Sequence, residues 1–126
     1  MDVIHAALWV EDIDRTLAFY RDALGLAETD EFVGGDGATN VYLAGGDGAE
    51  LQFKHYADRP NAPVEPAGID HVALRVDDTD GTVERLVAET GCPVRRGPLT
   101  SEGANARVAF VEDPDGYGVE LVEPLG

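Results

Sequence analysis

The chain repeats one pattern twice, and this repetition limits its fold more than any other feature. Residues 3–14, "VIHAALWVEDID", match residues 69–80, "IDHVALRVDDTD": each reads as a strand with a histidine near its start, followed by an acidic cluster. Later, "GAELQF" (48–53) matches "GVELVE" (118–123), and each places a glutamate before a leucine after a glycine-bearing turn. Internal repetition decides architecture before any single element does. The sequence therefore predicts two copies of one supersecondary unit.

Each copy is predicted to contain a strand, a helix and three further strands. In the first copy the strands are expected near 3–10, 28–34, 39–44 and 48–55, with a helix at about 13–24. In the second copy they are expected near 69–76, 93–97, 105–111 and 117–123, with a helix at about 80–89. Asp12 is a candidate cap of the first helix, and Gly25 and Gly91 are expected to end the two helices. The predicted fold is α+β, with two βαβββ units forming a cupped mixed sheet and the helices on its outer face.

Helical spacing predicts which side chains the two helices bury. The residues expected to face inward are Ile13, Leu17, Tyr20 and Leu24 in the first helix and Val83, Leu86 and Val87 in the second. The 126 residues suit one domain, with repeat 1 at about 1–56, a Pro-rich linker at 57–68 and repeat 2 at about 69–126.

The charge of the chain is strongly acidic. Nine basic against 25 acidic residues give a net charge of −16, and Lys54 is the single lysine. Such a surface repels phosphate backbones, which argues against nucleic-acid binding. It favours adaptation to high salt, where self-repulsion is screened, although an ordinary acidic protein is the alternative. The short apolar run at the start is neither a signal peptide nor a membrane span, which predicts a cytoplasmic protein without a membrane partner.

Strand alternation brings four potential metal ligands to one kind of face. On the strands that open and close each copy, one face is apolar and suits packing under a helix, while the other is polar. The polar face carries one histidine and one glutamate per copy: His5 and Glu50, then His71 and Glu120. A carboxylate such as Glu120, set between apolar neighbours, is costly to bury without a partner. We predict that its partner is a metal ion shared by these four residues.

Two imidazoles and two carboxylates form a mixed nitrogen and oxygen set that suits Ni, Co, Zn, Mn or Fe. With two waters the site would be octahedral and open to substrate oxygens, so that the ion acts as Lewis acid and template. The alternative is that each histidine is simply packed in the core and each glutamate lies at a strand edge.

The motifs resemble those of the vicinal oxygen chelate superfamily, and most closely the short bacterial-type glyoxalase I (lactoylglutathione lyase). The resemblance covers nearly the whole chain and is carried by "HAALWVEDIDRTLAFYRDALGL", "AELQF", "DHVALRVDD" and "FVEDPDGYGVELVE". Dioxygenases of the superfamily use two histidines and one glutamate, so Glu50 favours glyoxalase I. Its epimerases usually have glutamine at the Glu50 position, and its drug-binding members lack the ligands.

The resemblance implies a reaction and a cofactor. A hemithioacetal of methylglyoxal and a thiol would bind the metal through two oxygens, and it would isomerise through a metal-bound enediolate. Glu120 matches the position of the base, with Glu50 assisting on the opposite side. The short chain resembles the Ni- or Co-activated class. In glyoxalase I the two halves of a site come from different subunits, which implies a homodimer with sites at its interface, although an intrachain site is the alternative.

The resemblance fails at the residues that hold glutathione. The family's arginine four residues after the first metal histidine is Trp9 here, and the asparagine four residues after the first metal glutamate is Lys54. Arg75 lies four residues after His71 and is a candidate replacement. We therefore predict Trp9, Lys54 and Arg75 as substrate-binding residues, and we expect a thiol other than glutathione. A non-catalytic small-molecule binder, an epimerase and a dioxygenase are the competing functions.

Overall fold

The computed structural model describes residues 3–58, 64 and 69–126, and its chain divides into two compact units, Met1–Val64 and Glu65–Gly126. The elements of the first unit are β1 (His5–Trp9), α1 (Ile13–Leu17), a π-helical turn (Ala18–Ala23), β2 (Ala27–Val33), β3 (Thr39–Ala44) and β4 (Glu50–His55). Those of the second unit are β5 (Val72–Arg75), α2 (Thr79–Thr90), β6 (Val94–Ser101), β7 (Ala106–Glu112) and β8 (Gly118–Pro124). No described helix is long and apolar enough to cross a membrane.

Each unit is a four-stranded mixed sheet with the same topology. The strand orders are β1-β4-β3-β2 and β5-β8-β7-β6. The first strand of each unit pairs in parallel with the last, and the other pairs are antiparallel. Parallel neighbours need a long crossover, which the helix and the two intervening strands supply. The predicted repetition of two βαβββ units is confirmed. Most of the proposed linker, residues 59–63 and 65–68, lies outside the described residues.

The first helix begins where the sequence predicts but buries a different set of side chains. The Asp12 carboxylate accepts hydrogen bonds from the backbone N–H groups of Asp14 and Arg15, which caps α1. The π-helical turn then changes the periodicity, so the register expected from 3.6 residues per turn is lost. Of the four residues expected to face inward, Tyr20 is fully buried and the others are half-buried. The other side chains that this segment buries are Thr16, Phe19 and Ala23.

The second helix is close to its prediction. Asp78 caps it by accepting from the N–H of Gly81, and Gly91 ends it in a left-handed conformation with φ of 68°. Val83 and Leu86 are buried as expected. The inward assignment of Val87 is wrong, because this side chain is 38% exposed. A helical step of one residue turns about 100°, and Val87 therefore lies off the face that Leu86 buries.

The strand registers correct the repeat alignment by two residues. His5 pairs with Glu50, whereas Ala73, two residues after His71, pairs with Glu120. The position equivalent to Glu120 is therefore Gln52, which pairs with Tyr42 as Glu120 pairs with Phe110. The equivalent of Glu50 is Gly118. A shift of two residues keeps a side chain on the same face of a strand, so both glutamates still share a face with the histidine of their unit.

Both units carry a β-bulge at the same place in the sheet. In β2 the register shifts between Glu28 and Asp30, which leaves Thr29 as the extra residue. In β6 it shifts between Val94 and Arg96, which leaves Arg95 as the extra residue. A second irregularity in β6 surrounds Gly97 (φ 79°), where an added Cβ would lie 2.7 Å from the Val108 carbonyl oxygen. Strand β6 continues past this irregularity to Ser101, four residues beyond its predicted end.

Candidate metal centre

The first unit places His5 and Glu50 side by side. They are register partners on the parallel strands β1 and β4, so their side chains leave the sheet on the same face. The His5 ring meets the Tyr42 ring edge-on, with 5.6 Å between centroids. His5 is exposed and Glu50 is half-buried. The predicted face of this strand pair is therefore confirmed for the first unit.

Glu50 is held by the bulge of the neighbouring part of the sheet. The Thr29 hydroxyl donates a hydrogen bond to Glu50 Oε2 and also lies 3.4 Å from the Tyr42 carbonyl oxygen. Bulges commonly re-aim a side chain beside a functional site. The bulge in β2 therefore orients one carboxylate oxygen of Glu50. Sequence reasoning missed Thr29, because nothing in residues 27–33 marks where the extra residue lies.

The second unit brings His71 and Glu120 into direct contact. His71 Nε2 lies 3.2 Å from Glu120 Oε1, and the His71 ring meets the Phe110 ring edge-on at 5.5 Å. On the other side of the imidazole, Nδ1 lies 2.6 Å from Asp70 Oδ1. A carboxylate that accepts from Nδ1–H would leave Nε2 as the ligand atom. Asp70 is a second residue that sequence reasoning missed, although it is adjacent to the histidine.

The donor atoms of the second unit fit a metal ion. Ligand nitrogen and oxygen atoms lie about 2.1 Å from first-row divalent ions, and two ligands at right angles are then about 3.0 Å apart. The observed separation of 3.2 Å between Nε2 and Oε1 agrees with this value. Both side chains are only partly exposed, at 32% and 19%. The pair therefore provides one imidazole and one carboxylate at the spacing of neighbouring ligands.

The structure describes these ligands as two pairs, one in each unit. Within residues 3–58, 64 and 69–126, no group of three or more His, Cys, Asp or Glu side chains lies close enough to hold a metal ion. Each predicted ligand is thus placed beside one other predicted ligand, and the joining of all four remains a prediction.

The sequence matches one family model over most of its length. Residues 3–121 match the Glyoxalase/Bleomycin resistance protein/Dioxygenase superfamily. The chain belongs to this superfamily. It is 34% identical to the lactoylglutathione lyase of Haemophilus influenzae over 134 residues, which cover 98% of this chain and 93% of that protein. The predicted family and its fold are confirmed, and at the level of the family the chain is glyoxalase I-like.

The solved structures similar to this chain include an enzyme and a binding protein. Glyoxalase I from Zea mays matches with a TM-score of 0.84 and 26% identity, over 99% of this chain and 45% of the maize chain. An antibiotic binding protein from Streptomyces, TnmS3, matches with a TM-score of 0.72 and 25% identity, over 98% of this chain and 96% of that protein. The superfamily fold therefore does not by itself separate catalysis from binding.

Two of the predicted substrate-binding residues already interact within this superfamily fold. Trp9 stacks on Tyr56, with 5.0 Å between ring centroids, and is 40% exposed. Lys54 Nζ lies 5.0 Å from the centre of the Trp9 ring and 3.2 Å from Asp36 Oδ2. The N–H of Ala38 and then the Lys54 ammonium lower the pKa of the Asp36 carboxyl. Lys54 is therefore partly neutralised and held against the indole.

The third predicted substrate-binding residue, Arg75, is exposed at the end of β5. It pairs in register with Val122, whereas Glu120 pairs with Ala73. Arg75 thus lies on the face of His71 and Glu120, two residues farther along the strand. No described residue forms an ion pair with it.

The contact between Thr29 and Glu50 should be measurable without any ligand. Thr29→Val removes the donor and Glu50→Leu removes the acceptor. We expect a coupling free energy of about 1 kcal/mol from the double-mutant cycle in urea unfolding, because hydrogen bonds to charged groups are stronger than neutral ones. Thr29→Ser retains the hydroxyl and is the control. A coupling free energy near zero would show that the bulge does not hold the carboxylate.

Proposed function

We propose that the protein is a metal-dependent lyase of glyoxalase I type, which isomerises the hemithioacetal of methylglyoxal and a small thiol. The observation that carries the proposal is the 3.2 Å contact of His71 Nε2 with Glu120 Oε1. The similarity to a lactoylglutathione lyase over nearly the full length of both chains supports it. A role in methylglyoxal detoxification follows from the proposal.

The proposed cofactor is one divalent metal ion per site, with His5, Glu50, His71 and Glu120 as ligands. The mixed donor set suits Ni or Co, and Zn, Mn or Fe are alternatives. When bound, the ion would act as a Lewis acid and lower the pKa of the C1–H group of the substrate. Asp70 would keep Nε2 of His71 free of its proton, and Thr29 would orient the Glu50 carboxylate.

The proton transfer is assigned to the two glutamates. Glu120 would take the proton from C1 of the hemithioacetal, and a proton would return to C2, so that the substrate is isomerised without any oxidant. The base has to be within hydrogen-bond reach of the proton that it removes. Glu120 is half-buried beside Phe110, its register partner on β7, and a partly dry setting favours such a transfer. Glu50 would assist the proton transfer from the side of the substrate opposite Glu120.

Replacement of the proposed base tests this assignment. Glu120→Gln should lower kcat by about 10²–10⁴-fold, the usual cost of a lost general base. Metal binding should weaken less, because an amide oxygen and the other three ligands remain. Nickel content by mass spectrometry and methylglyoxal turnover with a panel of thiols measure the two effects. Near-normal turnover with a full complement of metal would remove Glu120 as the base.

We also propose a homodimer in which the two ligand pairs of a site come from different copies. Isologous pairing creates two equivalent sites at once. The proposal rests on the resemblance to glyoxalase I and on the division of the ligands between two compact units. A site built within one chain is the alternative.

Mixed subunits separate these two arrangements. His5→Ala and His71→Ala chains are each expected to be inactive alone. If sites are shared, mixing the two variants after dissociation should restore one intact site per mixed dimer, and each mixed dimer should have about half of the activity of a wild-type dimer. Mixing two portions of the same variant is the control. Mixed dimers that form but stay inactive would contradict the shared arrangement.

The thiol is proposed to be a small anionic compound other than glutathione. Trp9 would form one side of the substrate-binding pocket. Lys54 and Arg75 would contact an anionic group of the substrate. Because Lys54 is already paired with Asp36, Arg75 is the stronger candidate of the two cations.

Removal of Arg75 tests the clamp. Arg75→Ala should raise KM for an anionic thiol adduct and leave kcat and metal content unchanged, the pattern of lost uniform binding. The glutathione adduct should be a poor substrate for both proteins. Efficient saturable turnover of the glutathione adduct that is unchanged in Arg75→Ala would contradict the proposal.

The second candidate function is a non-catalytic small-molecule binder, which the similarity to an antibiotic binding protein favours. Absence of turnover in protein that binds metal would support it over the lyase.

The acidic composition supports adaptation to high salt, a prediction that the dependence of thermal unfolding on KCl concentration checks.

A further inference from the structure

Basic residues gather on one face of the second unit although the chain is strongly acidic. The whole sequence has nine lysines and arginines against 25 acidic residues. Three of these nine, Arg75, Arg95 and Arg96, belong to β5 and β6, the edge strands of the sheet that carries His71 and Glu120.

The β6 bulge accounts for the direction of two of these arginines. Arg96 pairs in register with Phe110, whose ring contacts His71. Antiparallel register partners share a face, so Arg96 lies on the face of His71. A bulge sets two residues against one on the partner strand, and Arg95 joins Arg96 opposite Phe110. Two consecutive arginines therefore lie on the face that a regular strand would offer to only one of them.

Arg95 is held beside His71 by two contacts. Its Nε donates to Glu112 Oε1 at 2.8 Å, and its Nη2 donates to the Gly116 carbonyl oxygen at 2.8 Å. A Cβ added to Gly118 would lie 2.7 Å from Arg95 Nη1 and 3.4 Å from the Cβ of His71. The guanidinium thus occupies the space that a side chain at position 118 would fill. Among the described residues, none accepts a hydrogen bond from Nη1.

The same place in the first unit carries a different chemistry. The equivalent bulge residue is Thr29, which donates to Glu50, and its neighbour is Asp30. In the second unit the glutamate is replaced by Gly118 and the bulge pair by Arg95 and Arg96. The exchange turns a carboxylate position beside one histidine into a guanidinium position beside the other. Arg96 is exposed, and no described residue forms an ion pair with it.

We infer that Arg95 and Arg96 form a carboxylate-binding site beside His71 and select a thiol substrate that carries carboxylate groups. The inference deepens the proposed function and rests on it. A guanidinium offers donors in a planar fork that matches a carboxylate. Arg95 is oriented by Glu112 and Gly116, with Nη1 left for the ligand, while Arg96 supplies a charge that Glu112 does not neutralise. The pair differs from Arg75, which lies at the level of Val122 on the other side of Glu120.

Two thiols of similar size test the site. Mercaptosuccinate carries two carboxylates, and 1-thioglycerol carries two hydroxyls instead. With the nickel-loaded full-length protein, we expect kcat/KM for the methylglyoxal adduct of mercaptosuccinate to exceed that of the thioglycerol adduct by at least about tenfold. Arg95→Ala and Arg96→Ala should each lower kcat/KM for the mercaptosuccinate adduct by about tenfold through KM, the lower end of the range for a lost hydrogen bond to a charged group, and leave the thioglycerol adduct unchanged.

The control is a charge-matched change away from the face. Arg85 is an exposed residue of α2, 4.0 Å from Glu89, and Arg85→Ala removes the same charge from the protein. The preference of the Arg85→Ala variant for the mercaptosuccinate adduct should equal that of the wild type. Arg95→Ala also breaks contacts to Glu112 and Gly116, so thermal unfolding is measured for every variant. Arg96 has no ion pair among the described residues, and Arg96→Ala is expected to fold normally.

Direct binding separates failure of this inference from failure of the proposed function. Calorimetric titration of mercaptosuccinate into the protein requires no turnover. If the wild type is inactive with every thiol but binds mercaptosuccinate at least about tenfold more tightly than Arg96→Ala does, the lyase proposal fails and the carboxylate site stands. If the wild type is active and both arginine variants keep its preference, or Arg85→Ala loses it equally, the carboxylate site is wrong and the lyase proposal stands.

Discussion

The parallel pairing between the first and last strands of each unit determines where the proposed metal ligands lie. Hydrogen bonds between β1 and β4 place Glu50 directly beside His5, and those between β5 and β8 place Glu120 two residues along from His71. Side chains that leave neighbouring parallel strands in register point to the same face. The helix that makes the crossover covers the opposite face. The predicted ligands of each unit therefore lie on the face away from its helix, and His71 directly precedes β5.

Much of this arrangement was predictable from the sequence, because it depends on local signals. Asp12 begins the first helix and Gly91 ends the second through contacts with near neighbours in the chain. The alternation of apolar and polar residues assigns His71 and Glu120 to one face because the period of a strand is two. The number of strands and their succession along the chain follow from the repeated unit. These features require no knowledge of which residues lie opposite each other.

The remaining features depend on register, which alternation alone does not determine. Aligning "AELQF" with "VELVE" made Glu50 and Glu120 equivalent, whereas the ladders make Gln52 the equivalent of Glu120. The bulges at Thr29 and Arg95 have no composition signal, and the π-helical turn changes which side chains the first helix buries. The contact of Lys54 with Asp36 joins residues 18 positions apart and is equally invisible in the local sequence. In each case the same sequence pattern is compatible with more than one structure, and contacts between distant residues determine which one forms.

The bulge has a consequence for how proteins of this shape can change over time. Since an extra residue has no partner opposite it, its side chain can be exchanged without moving the strand that carries it or the one beside it. Thr29 and Arg95 stand at this position in the two copies, one a small hydroxyl and the other a long cation, yet both sheets keep the same strand order. A duplicated unit with such a position has a built-in place for divergence. New recognition can arise there while the inherited scaffold stays intact.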